Sequence, residues 1–123
     1  MVQLFTNLIA NALKFSKETI PPVVDISYYL DEDINTVRFP FLLDKAYYHI
    51  TIKDNGIGFD DANAERIFLI FQRLHGRNEY SGTGVGLAIC KKIIENHKGA
   101  IYAESEVDKG STFHILLPTI LSA

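Results

Sequence analysis

Glu79–Gly99, EYSGTGVGLAICKKIIENHKG, is the stretch on which the fold turns. The run Ser81-Gly82-Thr83-Gly84-Val85-Gly86-Leu87 leads directly into a helical pattern from Val85 to His97, with Leu87, Ala88, Ile89, Ile93 and Ile94 on its apolar side and Gly99 expected as its C′ residue. Small residues at a helix start let backbone N–H groups approach an anion, and the aligned peptide dipoles add about half a positive charge there. No Lys-Ser or Lys-Thr follows the glycines, so this is not a Walker loop. No strand precedes them, so it is not a dinucleotide fingerprint either. A glycine run at a helix start is equally often a plain turn, and an anion site here needs support from the rest of the chain.

Upstream, residues 61–74 carry Ile67, Phe68, Ile70, Phe71 and Leu74 and are expected to form a short helix, followed by a polar loop, HGRNEYSGTG. Before them, Tyr47 to Lys53 reads as a strand that ends in Asp54-Asn55-Gly56-Ile57-Gly58-Phe59-Asp60. A carboxylate at a strand end, beside glycines that clear space, can accept a hydrogen bond from an exocyclic amine such as that of adenine. An ordinary Asn-Gly turn explains the dipeptide equally well. Downstream, Ala100–Glu104 and Thr112–Leu117 read as two strands joined by Asp108-Lys109-Gly110.

The N-terminal residues 2–16 form a two-sided helix pattern. Phe5, Leu8, Ile9, Ala12 and Leu13 gather on the apolar side, while Gln3, Asn7, Asn11 and Lys14 fall on a narrow polar stripe. An Asn oxygen can ligate Mg²⁺ without repelling phosphate, and a lysine one turn on can meet a phosphate. A solvated helix face is the commoner meaning of any single Asn. Pro21-Pro22 ends the helical region, Val23–Leu30 reads as a strand, and residues 31–46 are taken as a hairpin connection or insertion. The order helix, strands, helix, strands predicts an α+β two-layer sandwich: a mostly antiparallel or mixed sheet, helices on one face, and a mobile lid.

Composition agrees with one packed domain. The 123 residues are 47% hydrophobic, and 12 basic against 15 acidic residues are mixed along the chain for a net charge of −3. No basic run offers a track for nucleic acid. Cys90 is the sole cysteine, which excludes an internal disulfide and CxxC metal clusters and makes it a buried small hydrophobe in expectation. No stretch nears the roughly 20 apolar residues of a membrane span, and the start lacks signal-peptide features. The expectation is a cytosolic domain that touches neither membrane nor nucleic acid.

Four segments, NLIANALKFS, DNGIGFD, IFLIFQRL and GTGVGLAI, occur in that order before a closing GSTFHILLP. They resemble the asparagine box, first glycine box, phenylalanine box and second glycine box of the catalytic ATP-binding domain of sensor histidine kinases. Residues 67–99 are especially similar to members linked to phytochrome or PAS sensory parts. The resemblance spans nearly the whole chain except residues 31–46.

The resemblance implies a set of roles. Asn11 is the Mg²⁺ ligand, supported by Asn7, and Lys14 meets the phosphates. Asp54 recognises the adenine amine, Gly56 and Gly58 shape the base pocket, and Thr112 adds a water-mediated contact. Phe68 and Phe71 anchor the lid. Gly82, Thr83, Gly84, Val85, Gly86 and Leu87 bring its end to the phosphates, with Arg73 and Arg77 reaching the terminal phosphate. It also implies ATP and Mg²⁺ as cofactors, a phosphoacceptor His on a separate dimerisation domain of the same protein, and a response regulator as partner. The parent would be a homodimer, either soluble or anchored in the inner membrane, and this piece a monomer.

His49, His75, His97 and His114 lack the His-Glu or His-Asp context of the family's acceptor and are expected to be structural or surface groups. The related gyrase, mismatch-repair and chaperone ATPases carry a Glu base one turn before the metal-binding Asn. Here that position is Asn7, whose amide takes no proton from water, so hydrolysis is disfavoured over transfer to a protein. Family domains begin with a strand and the first turns of the box helix; a sequence starting inside that helix is expected to be an N-terminally shortened piece. Two other readings share the sandwich: a serine kinase of the anti-sigma type, against which the phenylalanine box and long lid speak, and a nucleotide-binding module without catalysis.

Overall fold

The computed structural model describes residues 2–33, 38–40, 42, 46–68 and 83–119. The elements are α1 (Val2–Lys14), β1 (Val24–Asp31), β2 (Tyr47–Asp54), α2 (Thr83–Asn96), β3 (Ala100–Glu106) and β4 (Gly110–Pro118). The strands form one sheet in the order β1-β2-β4-β3, with every neighbouring pair antiparallel. This is the expected α+β sandwich, with α1 and α2 packed on one face.

Alternation assigns the faces. Ile52 pairs with Phe113, and Phe113 with Ala103. These three, with Ile115 and Leu117, meet Leu4 and Leu8 of α1 and Leu87, Cys90 and Ile94 of α2 in the main core. Leu87, Cys90 and Ile94 recur at i, i+3 and i+7, the spacing of one helix face.

The buried stripe of α1 is shifted from the expected one. Leu4, Leu8 and Ala12 are buried, Phe5 and Ile9 are half-buried, and Leu13 is 51% exposed. The cause is α2, which packs against the Leu4 side of the helix: the Cys90 thiol lies 3.8 Å from the Leu4 carbonyl. The other half of the apolar arc, including Val2 and Leu13, lines an open groove.

Two further expectations are corrected. Helix α2 ends in a Schellman arrangement in which Lys98 (φ 64°), not Gly99, takes the left-handed position, with Lys98 N–H donating to Glu95 O and Gly99 N–H to Ile94 O. Gly99 is needed for a different reason, since a Cβ there would lie 2.0 Å from the Leu116 carbonyl oxygen. The expected helix over 61–74 is, in its described part, two 3₁₀ turns, Asp61–Asn63 and Arg66–Phe68. Asp60 caps Ala62 N–H at 3.0 Å and Asp61 accepts from Ser105 N–H at 3.1 Å, so the acidic side chains divert the backbone into short turns tied to β3.

The sheet's other face is covered in part by the β1–β2 connection. Phe39 and Leu42 pack with Tyr47, Ala100, Leu116 and Tyr102, and the Arg38 guanidinium lies 4.3 Å from the Tyr102 ring centre. Beside this small cluster runs a cross-sheet row. Tyr29 Oη is 2.8 Å from His49 Nδ1, His49 Nε2 is 2.8 Å from His114 Nδ1, and the His114 ring stacks on Tyr102 at 4.5 Å. His114 Nε2 lies 2.7 Å from a Glu104 carboxylate oxygen, a close contact too poorly aligned for a regular hydrogen bond. Both histidines are thus tied into this cross-sheet row.

Candidate functional site

Asp54 ends β2 on the helix-covered face and is 8% exposed. Its Oδ1 accepts from Gly56 N–H at 2.9 Å and from Ser111 N–H at 3.2 Å. No hydrogen bond to Oδ2 joins it to any described residue. Burial raises the Asp54 pKa, and the two backbone donors pull the other way. The second oxygen leaves one acceptor edge to offer a ligand.

The glycines around it are steric requirements. A Cβ on Gly56 would lie 2.4 Å from the Phe15 carbonyl oxygen. Gly58 (φ 67°) has the Glu106 carbonyl 2.1 Å from the same hypothetical atom. Gly110 (φ 103°) backs onto the Asp54 carbonyl at 2.0 Å. The loop is fixed to the end of α1 by Ile57 N–H to Phe15 O (2.8 Å) and to the β3–β4 turn by Asp108 N–H to Ile57 O (2.7 Å). Asn55, to which sequence reasoning gave no role, fastens the loop to the Pro21–Val23 segment: its side chain accepts from Val23 N–H and donates to Pro21 O.

The polar stripe of α1 lies along one flank of the helix. Asn7 is half-buried and acts to lower the pKa of the Cys90 thiol, which burial nevertheless pushes up to about 11. Asn11 is half-buried, and Lys14 is exposed with its ammonium 5.8 Å from the Phe15 ring centre. At α2 the helix backbone begins at Thr83 and continues through Gly84 and Val85. A Cβ on Gly86 would meet nothing within 4 Å. Leu87 and Phe68 are buried core residues, and Phe68 stands edge-on to Phe113 at 6.1 Å. Phe71, Arg73, Arg77 and Gly82 lie outside the described residues.

Thr112 does not sit where its expected role requires. It pairs with Lys53 and Glu104, on the face away from the helices. The β2–β4 register carried on from Ile52 opposite Phe113 sets Ser111, not Thr112, opposite Asp54. Period-two alternation along Ser111-Thr112-Phe113 held the signal: the residue that shares a face with core Phe113 is Ser111.

The Histidine kinase-, DNA gyrase B-, and HSP90-like ATPase pattern matches residues 1–120. The chain belongs to that family. Cyanobacterial phytochrome A of Nostoc sp. is 46% identical over 118 residues, covering 96% of this chain and 14% of the relative. Phytochrome-like protein Cph1 of Synechocystis sp. is 47% identical with the same coverage. The adaptive-response sensory kinase SasA of Prochlorococcus marinus subsp. pastoris is 37% identical, with 96% and 28% covered. The chain therefore spans a small part of the curated relatives it matches. Among solved structures, the mycobacterial sensor histidine kinase MprB superposes with a TM-score of 0.71 at 24% identity, covering 98% of this chain and 72% of that one. ShkA, solved full-length in complex with AMPPNP, gives 0.69 at 23% identity, with 98% and 22% covered. The relatives are phytochromes and a sensory kinase, and the fold is shared with a sensor histidine kinase. No helix among the described residues is long and apolar enough to cross a membrane.

Proposed function

We propose that this domain binds Mg²⁺·ATP and presents the γ-phosphoryl group to a histidine carried on a separate dimerisation domain of its parent protein, which then phosphorylates an aspartate of a response regulator. The observation that carries the reading is Asp54, whose Oδ1 is held by two backbone donors while Oδ2 makes no hydrogen bond to a described residue, in a chain of this family. In this reading Oδ2 accepts from the adenine amine. The base would lie beside Asp54, and the phosphates would run toward the Asn11–Lys14 flank and the N-terminus of α2.

The donor set suits magnesium. Among the described residues no group of three or more His, Cys, Asp or Glu side chains could hold a metal. An ion held here would take few protein ligands, as magnesium does when it keeps waters and phosphate oxygens. The Asn11 amide oxygen would hold it, and the ion would neutralise charge on the transferring phosphoryl group.

Asn7 occupies the position from which a carboxylate would activate water. Its amide cannot accept that proton, which favours transfer to a protein over hydrolysis. The acceptor histidine comes from outside these residues, so the domain alone binds nucleotide without labelling itself. The parent, soluble or anchored in the inner membrane, acts as a homodimer with this domain in the cytoplasm.

The test mixes the domain and radiolabelled ATP with histidine-bearing and serine-bearing acceptors, then assays the acid stability of the phosphate bond. An acid-labile label on histidine is the expected result. An acid-stable label would establish the serine kinase, and nucleotide binding without any transfer would leave a binding module.

A further inference from the structure

Resting on the adenine-binding reading above, we infer that Ser105, on β3, is a positioning residue that sets the polarity of the base site and so selects adenine over guanine. Ser105, Ser111 and Asp54 form a row across β3, β4 and β2 on the helix-covered face. Ser105 Oγ lies 2.8 Å from Phe59 N, 2.8 Å from the Gly110 carbonyl oxygen and 2.9 Å from Ser111 Oγ.

These three contacts allow one hydrogen arrangement. A serine hydroxyl has one hydrogen and two lone pairs. The Gly110 carbonyl can only accept, so it takes the Ser105 hydrogen. Phe59 N–H can only donate, so it takes one lone pair. The remaining lone pair must receive the Ser111 hydroxyl hydrogen. Ser105 is then saturated, and the Ser111 hydroxyl has lone pairs alone left to offer. Ser111 is 8% exposed, so water has little room to reverse this order.

Beside it, Asp54 Oδ2 is also an acceptor. In the adenine-binding reading the base would therefore meet two acceptors, to which an exocyclic amine donates directly or through a bound water. A guanine ring turned the same way places a carbonyl oxygen there, and like partners face each other without a hydrogen. Without Ser105, the Ser111 hydroxyl is free to turn and donate to that oxygen. The expected signature is a gain of guanine binding, which general damage to the strand does not produce.

The experiment measures Kd values for non-hydrolysable ATP and GTP analogues with magnesium, by calorimetry on the polypeptide that carries this domain. Ser105→Ala should lower the ATP:GTP preference about tenfold, the worth of one hydrogen bond gained or lost. Ser105→Thr, which keeps the hydroxyl, should restore it. In a Ser111→Ala background, Ser105→Ala should leave the preference unchanged. Equal weakening of both nucleotides by Ser105→Ala, or a shift that persists in the Ser111→Ala background, overturns the inference and leaves the adenine reading intact. Wild-type protein that binds neither analogue sinks the adenine reading itself. Should Ser105→Ala lack a cooperative melt, Ser111→Ala alone decides: it must lower the preference, and an unchanged ratio overturns the proposal.

Discussion

Replacing Asp54 by Asn separates the carboxylate's two edges. The Asn oxygen can keep the place of Oδ1 and both backbone donors, Gly56 N–H at 2.9 Å and Ser111 N–H at 3.2 Å. The amide nitrogen then stands where Oδ2 was, and an acceptor becomes a donor facing the adenine amine. The lost charge-assisted hydrogen bond is worth about 1.5–3 kcal/mol, or roughly 10- to 150-fold in Kd. Stability should move the other way. Burial raises the Asp54 pKa, so the folded state disfavours the charge it carries at neutral pH, and a neutral isostere removes that cost. The assay pairs calorimetric titration of a non-hydrolysable ATP analogue with thermal denaturation of the same sample. Asp54→Asn should melt at or above the wild-type temperature and bind at least tenfold more weakly. A variant that melts normally and binds as wild type does would refute the assignment of Oδ2 to the base. One that melts far lower would refute the account of the carboxylate's burial.

Further tests use the same pair of measurements. Gly58→Ala, at φ 67° with a carbonyl 2.1 Å from the new Cβ, should cost about 2 kcal/mol or more and lower the melting temperature. Gly86→Ala, with nothing within 4 Å of the new atom, should leave stability unchanged or raise it by up to about 1 kcal/mol, while weakening triphosphate binding. His114 has its pKa lowered, chiefly by burial, with neighbouring His49 acting in the same direction and Glu104 opposing. The unfolded chain then binds that proton more tightly. Stability conferred above the free-histidine value of about 6.5 should be lost as pH falls through the lower folded value, and His114→Asn should flatten that stretch of the melting profile. Cys90, buried with its thiol pushed up to about 11, should react with a thiol reagent only as fast as the domain unfolds, and rapid labelling under native conditions would contradict its place between the helices.

Much of this architecture was legible because its signals are local. Leu87, Cys90 and Ile94 repeat at helical spacing, and Ile52 and Phe113 sit in runs that alternate. Register was not legible locally, and it decided Ser111 against Thr112. Neighbouring hydroxyl residues look interchangeable until strand pairing assigns each a face. The Lys98 turn shows a similar limit. Gly99 looked like the residue that supplies a left-handed conformation, but its real constraint is the Leu116 carbonyl, a contact across the fold that no local pattern contains. The buried arc of α1 moved toward Leu4 for a comparable reason, since the position of α2 follows from the whole core. The short turns at 61–68 reflect Asp60 and Asp61 side chains that compete with the backbone, one of them through a partner far along the chain.

The hydrogen bond from Ile57 N–H to the Phe15 carbonyl joins the helix that carries the two amides to the loop that carries the aspartate. With Gly56 pressed against the same carbonyl, the joint leaves no slack for either part to slide. The two arms then act as a fixed caliper. Its gauge is set by main-chain atoms, which side-chain substitution cannot easily reset. A ligand seated against Asp54 is measured by how far its other end reaches, so under the proposed function chain length of the phosphate tail, rather than its charge alone, separates the triphosphate from the spent diphosphate.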